Sequence, residues 1–466
     1  MKSFGNLLKE YIQNQGFTIY QIAKETGIDR SFLQGVIAGK RKLPQKRFSD
    51  IINLSFFTPN QIKNLCSQYY LEKYGKEKIN RFELIEYALK GNLKQNLFKE
   101  YKPLLQEMPK NQYIHGQESI LSAIYYAVNS SEYFASNFDF KNININRILY
   151  NACINKQFKD FFHYVNINNI NQYDKMNIFF NSAHYAEIGY NTYLYENGDF
   201  TELMPYFIMT NNYMIQYDTE CENAIILNIE QERRFILDKL DKIKEKCSSR
   251  VHITNDGFES LKLLQLISSN HRHEKIRSFD NAISPCFLNP EAIEAIATNA
   301  IKSIPAITNQ LEAHFSLMLG EKDKTYKKWL LNFDSLEYFM KTGRICCFPT
   351  KYSLNVPLEL RKTVIDNILD FAEKSNAMNI INSKMFSTDY RFSVAINDNK
   401  LIYTSCHDIN DPEDFITKVI YTTDDKDIVN DLIDYIEYLS VSEKAYTLET
   451  SKDILKALSY RLEAIT

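Results

Sequence analysis

Over the first 75 residues, apolar positions recur every three or four places in short bursts, and a glycine, proline or capping hydroxyl separates each burst from the next. Leu7, Leu8, Tyr11 and Ile12 share one face of a helix over residues 4–14 that Gly16 stops. Thr18 offers an N-cap hydroxyl for a second helix, Ile19 to Thr26, whose buried face is Ile22 and Ala23. Gly27 ends it, at a turn that a side chain would penalise. Asp29 caps a third helix in which Leu33, Val36 and Ile37 point inward while Arg30, Ser31, Gln34 and Gly35 face outward. Gly39 closes this helix and Lys40, Arg41 and Lys42 follow. Pro44 opens a fourth helix carrying Phe48, Ile51 and Ile52, and Thr58 with Pro59 opens a fifth that runs to about Gly75. Five helices in about 75 residues predict an all-α N-terminal domain.

From Lys76 to about Pro109 the helical period continues, with Phe82, Ile85, Leu89 and Leu93 on one stripe, and residues 76–135 read as a helical connector. A helix from Glu118 to Val128 carries Ile120, Ile124 and Ala127, and polar clusters at 109–112 and 129–136 punctuate it. Residues 141–200 read as mostly helical, with Phe158, Phe161 and Phe162 in one segment and Ile178, Phe179, Tyr185 and Ile188 in the next. The period then changes. Pro205 to Met209 and Tyr213 to Tyr217 flank a Thr-Asn-Asn turn, Ala224 to Leu227 follows, and a helix bears Ile229, Ile236, Leu240 and Ile243.

The same grammar returns about 185 residues later: Arg391 to Ile396, the turn 397–399, Leu401 to Ser405, an acidic insert, Ile416 to Tyr421, and a helix with Ile428, Leu432, Ile436 and Leu439. Two related α/β units are therefore expected, at residues 136–250 and 331–466, with a helical linker at 251–330. Within that linker Gly257 to Ser269 and Pro290 to Lys302 read as helices. In the second unit Asn332 to Gly343 carries Phe333, Leu336, Phe339 and Met340 at helical spacing, and Arg344 to Phe348 is a strand candidate. A terminal helix, opened by Thr450 and Asp453 in capping-box fashion, bears Leu455, Leu458, Leu462 and Ile465 for packing on the body or on a second subunit. The fold class expected is a multidomain α+β chain: an all-α head, a connector and a two-unit body.

Composition changes this picture in one respect. The chain of 466 residues is near neutral at −3, yet residues 1–50 hold nine Lys or Arg against four acids, so a head of +5 sits on a body of −8. Such asymmetry draws one end of a molecule to phosphate. No apolar run approaches a membrane span of about 18 residues. The opening MKSFGNLLKEYIQNQ leaves no room for a signal peptide, so a cytoplasmic protein without membrane contact is expected, its eight scattered cysteines reduced.

The run T-x3-I-A-x3-G-I-D-R-S-x-L-x2-V-x2-G-K-R-x2-P, Thr18 to Pro44, resembles the helix-turn-helix of phage-repressor-type (XRE-like) transcriptional regulators. The resemblance covers roughly 60 of the 466 residues. It implies structural roles for Ala23, Gly27, Asp29 and Gly39, and a double-stranded DNA operator as partner. Ile19 departs from the glutamine usual at that place, which removes one contact, and Gly35 stands where a longer polar side chain is usual. The body, through Phe333 to Pro349 and the closing D-x2-D-Y-I-E-Y-L-S-V-S-E-K-A-Y-T-L-E-T, resembles effector regions attached to such heads in Firmicute regulators.

Base edges are read from the start of the third helix, and phosphates fix the register. Arg30 and Gln34 have the forked donors and acceptors that suit guanine and adenine, and Ser31 serves either a base or a phosphate. Thr18, Lys40, Arg41 and Lys42 are the phosphate candidates. One head offers few contacts, so a homodimer is expected, with a small-molecule or peptide effector acting on the body.

No catalytic residue, metal site or cofactor is assigned. Cys346 and Cys347 on a strand would face opposite ways, His271 and His273 lack further ligands, and adjacent Cys406-His407-Asp408 lacks catalytic geometry. Two rival readings stay open. One is a peptide-sensing helical-repeat regulator, and the other an inactive phosphodiesterase-like body carrying the DNA-binding head.

Overall fold

The computed structural model describes residues 2–52, 54–155, 160–166, 170–188, 191–195, 205–246, 251–252, 276–296, 326–345, 354–388, 391–396, 401–406 and 417–465. The N-terminal part is a bundle of α1 (Phe4–Asn14), α2 (Ile19–Thr26), α3 (Arg30–Ile37), α4 (Gln45–Ile52) and α5 (Pro59–Tyr74). Each helix starts and stops where local chemistry directs. Thr18 and Thr58 form capping boxes with Gln21 and Gln61, Asp29 accepts from the Phe32 amide, and Gly27 and Gly39 take φ of +64° and +69° to reverse the chain. The enclosed core holds Leu8, Ile12, Ile22, Leu33, Phe48 and Leu65, all fully buried or nearly so.

Among the described residues, two seven-stranded mixed sheets form the body. The first comprises β1 (Tyr113–His115), β2 (Tyr133–Asn137), β3 (Asp160–Asn166), β4 (Asn191–Tyr195), β5 (Tyr206–Thr210), β6 (Tyr213–Tyr217) and β7 (Asn223–Asn228). The second comprises β8 (Val251–His252), β9 (Ile276–Asp280), β10 (Tyr326–Asn332), β11 (Met378–Ile381), β12 (Arg391–Ile396), β13 (Leu401–Cys406) and β14 (Thr417–Thr423). Their spatial orders are β1-β7-β6-β5-β2-β3-β4 and, read from its other edge, β8-β14-β13-β12-β9-β10-β11. The orders are the same when each strand of the first is matched to the strand seven later. Directions agree as well: β2, β3 and β4 run parallel like β9, β10 and β11, while β5 to β7 and β12 to β14 are antiparallel meanders. The body is thus a duplicated fold, and the meanders start 185 residues apart, at Tyr206 and Arg391.

The helices are α6 (Lys76–Leu89), α7 (Asn92–Leu97), α8 (Gln117–Asn129), α9 (Ile143–Asn155), α10 (Gln172–Glu187), α11 (Arg233–Lys246), α12 (Pro290–Ile296), α13 (Phe333–Thr342), α14 (Leu358–Ser375), α15 (Lys426–Leu439) and α16 (Leu448–Glu463). Because side chains alternate along a strand, the second sheet feeds two cores. Phe279 and Leu330 meet α6, α10 and α15 on one face, whereas Trp329 and Leu331 meet α12, α13, α14 and α16 on the other. α10 follows β3 of the first unit yet sends Met176, Phe179 and Phe180 into the core of the second, which ties the units together. Among the described residues, no helix is long and apolar enough to cross a membrane.

Several expectations need correction. The first sheet begins at Tyr113, inside the stretch read as connector, and β2 occupies residues read as a polar cluster. Phe161 and Phe162 lie on β3 rather than a helix. β8, β9 and β10 fall at least partly within the stretch read as a helical linker. β9 and β10, which run parallel, are covered on both faces, so they lack the alternation that marks a half-exposed strand. Arg344 and Ile345 are not strand, and Cys347 and Phe348 lie outside the described residues. Gly257 to Ser269, His271, His273, Cys346, His407 and Asp408 also lie outside them. The terminal helix starts one turn early, capped by Thr447, and buries Leu455, Leu458 and Leu462 in the body's own core.

Candidate nucleic-acid interface

α2 and α3 meet through the turn Gly27-Ile28-Asp29, with Ala23 buried and Ile28 turned inward. Packing of Leu33, Val36 and Ile37 leaves Arg30, Ser31 and Gln34 exposed along the outer face of α3. Among the described residues no ion pair holds Arg30 and no hydrogen bond holds the Gln34 side chain, so both can rearrange onto a partner. Ser31 is partly committed: its hydroxyl donates to Asp29 Oδ1 at 2.5 Å. That bond, with the Phe32 amide and the Arg41 charge behind it, holds the Asp29 carboxyl below its usual range and keeps the cap ionised.

Thr18 is occupied in both roles of its hydroxyl. It accepts from the Gln21 amide at 3.3 Å and donates to Gln21 Oε1 at 2.9 Å, which leaves the position organised around the helix start. Lys40 and Lys42 are exposed and carry no ion pair among the described residues. Arg41 behaves differently, with its guanidinium carbon 5.5 Å from the centre of the Phe32 ring. Tyr20, 60% exposed on α2, also faces outward; the signal available for it is its place off the Ile22 and Ala23 stripe.

No hydrogen bond or ion pair among the described residues links positions 17–42 to anything beyond α5. The head is held through Gln45 and Tyr70 instead. Tyr70 Oη donates to the Val441 carbonyl at 3.0 Å, the Gln45 amide donates to the Glu437 carbonyl at 3.2 Å, and Tyr70 meets Tyr438 edge-on at 4.5 Å. Immediately behind, Arg81 of α6 pairs with Asp431 of α15 at 2.5 and 3.2 Å, both side chains nearly buried.

A second feature lies beyond the carboxyl end of β9. The chain places β10 and β11 on one side of β9 and then jumps to β12 on the other, and ligands of open α/β sheets bind at such switch points, beyond the carboxyl ends of the strands. There, Ala282, Ile283, Ser335, Tyr338, Arg344, Ile345 and Arg391 line a narrow crevice with internal room of only about 10 Å³, the size of one water molecule. The Arg391 guanidinium lies over the Tyr338 ring at 4.5 Å and donates to the Asn281 carbonyl at 3.2 Å. Further along the same face of β12, Ser393 donates to Asp280 at 2.5 Å, and Ser278 donates to it at 3.0 Å. Burial pushes the Asp280 carboxyl up to about 7 against the lowering effect of those hydroxyls.

No known protein-family model matches the chain, and no curated protein matches it significantly.

Proposed function

We propose that the chain is a DNA-binding transcriptional regulator whose residues 1–75 form a helix-turn-helix head. The observation that carries this reading is the outer face of α3. Arg30 and Gln34 stand exposed on it with no side-chain hydrogen bond or ion pair among the described residues, Lys40 and Lys42 flank its end, and the body holds the head through Gln45 and Tyr70. Arg30 and Gln34 supply the base contacts, while the lysines neutralise phosphates and make affinity fall with salt. A single head makes few such contacts, so two copies pair through the body on a repeated site in the cytoplasm. An effector acting on the body would shift the spacing of the two heads.

No catalytic role is part of this reading. A second reading, a phosphodiesterase-like body carrying a DNA-binding head, draws on the duplicated α/β unit and on one H-x-K-x4-D run, His273-x-Lys275-x4-Asp280, which ends with β9 in the second copy. The two sheets replace the helical-repeat body weighed as an alternative.

The test is enrichment of bound sequences from a pool of random duplex DNA by the full-length protein. Wild type should enrich a repeated motif, and Arg30→Ala with Gln34→Ala should lose sequence preference by roughly 1–3 kcal/mol per contact while folding normally. Unchanged selectivity in the double variant would sink the assignment. Sedimentation that gives a monomer at micromolar concentration would remove the paired-head part of it.

A further inference from the structure

Arg41 follows the recognition-type helix in sequence, where side chains ordinarily meet the DNA backbone, but the chain reversal puts it elsewhere. Gly39 adopts φ of +69°, and the amides of Lys40 and Arg41 then both donate to the Gly35 carbonyl, at 2.8 and 3.1 Å. The chain is folded back beside the middle of α3. A Cβ built on Gly35 would stand 3.0 Å from Arg41 Cδ and 3.1 Å from its Cγ, so the stem of Arg41 fills the space that a side chain at position 35 would take. From there the guanidinium reaches one turn toward the helix start, 5.5 Å from the Phe32 ring centre. Its charge is felt at Asp29, the cap of the same helix. Arg41 therefore lies along the outer face of α3, exposed, toward the end that presents Arg30 and Ser31.

We propose that Arg41 enters the major groove with α3 and reads a base edge beside Arg30 and Gln34, and that Gly35 is the slot that seats it. This rests on the DNA-reading function proposed above and adds a specificity-determining residue to it. The chemistry fits a guanine, whose O6 and N7 accept the two parallel donors of a guanidinium. Lys40 and Lys42, which make no such contact along the helix, remain phosphate contacts. The glycine, unusual in the middle of a helix, acquires a reason: any larger residue would lift Arg41 off the reading face.

Full-length wild type, Arg41→Lys, Gly35→Ala and Lys42→Ala proteins, each with folding checked by circular dichroism, are compared on the motif that wild type enriches from random duplexes. Arg41→Lys keeps the charge but loses the fork, so preference at one base pair should fall roughly 10- to 100-fold while the salt dependence of binding stays as it was. Gly35→Ala should lose preference at the same base pair, because the new methyl displaces the Arg41 stem. Lys42→Ala should weaken all sequences alike and lower the salt slope by about one. Undiminished preference in Arg41→Lys would overturn the proposal, and so would a loss in Gly35→Ala spread evenly over all sequences. Failure of wild type to enrich any motif would overturn the DNA-reading function itself, before Arg41 is at issue.

Discussion

α11 and α15 occupy the same place in the two copies of the body, each directly after the seventh strand of its sheet, and they have become different objects. α15 buries Ile428, Val429, Leu432, Tyr435, Ile436 and Leu439, and is apolar enough to be covered on more than one side. It meets α10 of the first unit, α6 of the connector and β9 of its own sheet, and its last turn meets the head. α11 fully buries Leu240, half-buries Ile236, Leu237 and Ile243, and leaves Phe235 66% exposed. Among the described residues no ion pair reaches it. The two helices match in topology, and the one against which the head docks is the joint of the molecule.

The largest expected effect separates these helices at one matched position. The sixth residue of each is an aspartate, Asp238 in α11 and Asp431 in α15. Asp431 is 4% exposed and holds Arg81, itself 11% exposed, so Asp431→Ala leaves a guanidinium buried without its carboxylate. That should cost about 3–5 kcal/mol. Asp238 faces solvent, and Asp238→Ala should stay within about 0.5 kcal/mol. Thermal unfolding of both variants measures the contrast. Equal small losses would mean that α15 is no more a joint than α11.

The head was legible because its signals are local. Thr18, Asp29 and Thr58 cap within three residues, and Gly27 and Gly39 end helices where their positive φ is needed. The meanders were legible too, since Tyr206–Thr210 and Tyr213–Tyr217 are joined by two residues, Asn211 and Asn212. The parallel strands were not. Tyr133–Asn137 reads as polar because Ser136 and Asn137 are buried in the fold, a fact set by β3 and β5 on either side. The seating of Arg41 was equally hidden, because it depends on where the chain goes after Gly39.

A middle-sized effect compares the two sheets at their switch strands. β9 ends in Asp280, raised to about 7 by burial, whereas β2 ends in Asn137, and beside it Ser136 meets His163, which burial lowers to about 3. The signs are opposite. The native state holds a proton on Asp280 that the unfolded chain gives up at its ordinary 3.8, so this stabilisation is complete below that pH and is lost as pH rises toward 7. His163 stays neutral while the unfolded chain protonates near 6.5, so its stabilisation is present above 6.5 and is lost as pH falls toward 3. Between about pH 4 and 6.5 the two slopes, each about 1.4 kcal/mol per pH unit, oppose one another. Asp280→Asn should expose the histidine slope, so that its stability relative to wild type climbs with pH through that window. A flat difference in unfolding midpoints at pH 4.5, 5.5 and 6.5 would refute the assignment.

The smallest effect probes how the first unit meets α15. Lys175 of α10 contacts Asp427 at 2.8 Å and Asp425 at 3.5 Å, at the N-terminus of α15, where Asp425 also caps the Ile428 amide. The lysine side chain is 25% exposed, and Asp427 is 41% exposed. Carboxylates at a helix start are already favoured by the backbone, so the lysine adds only a partly screened attraction. Lys175→Met should therefore cost no more than about 1 kcal/mol. Unlike the loss at Asp431, that cost should shrink as salt rises from 0.1 to 1 M, because the Debye length contracts from about 10 to 3 Å and the site is half open to ions. A loss at Lys175 as large as the one at Asp431 and indifferent to salt would move the joint of the molecule from the head side of α15 to the side that faces the first unit.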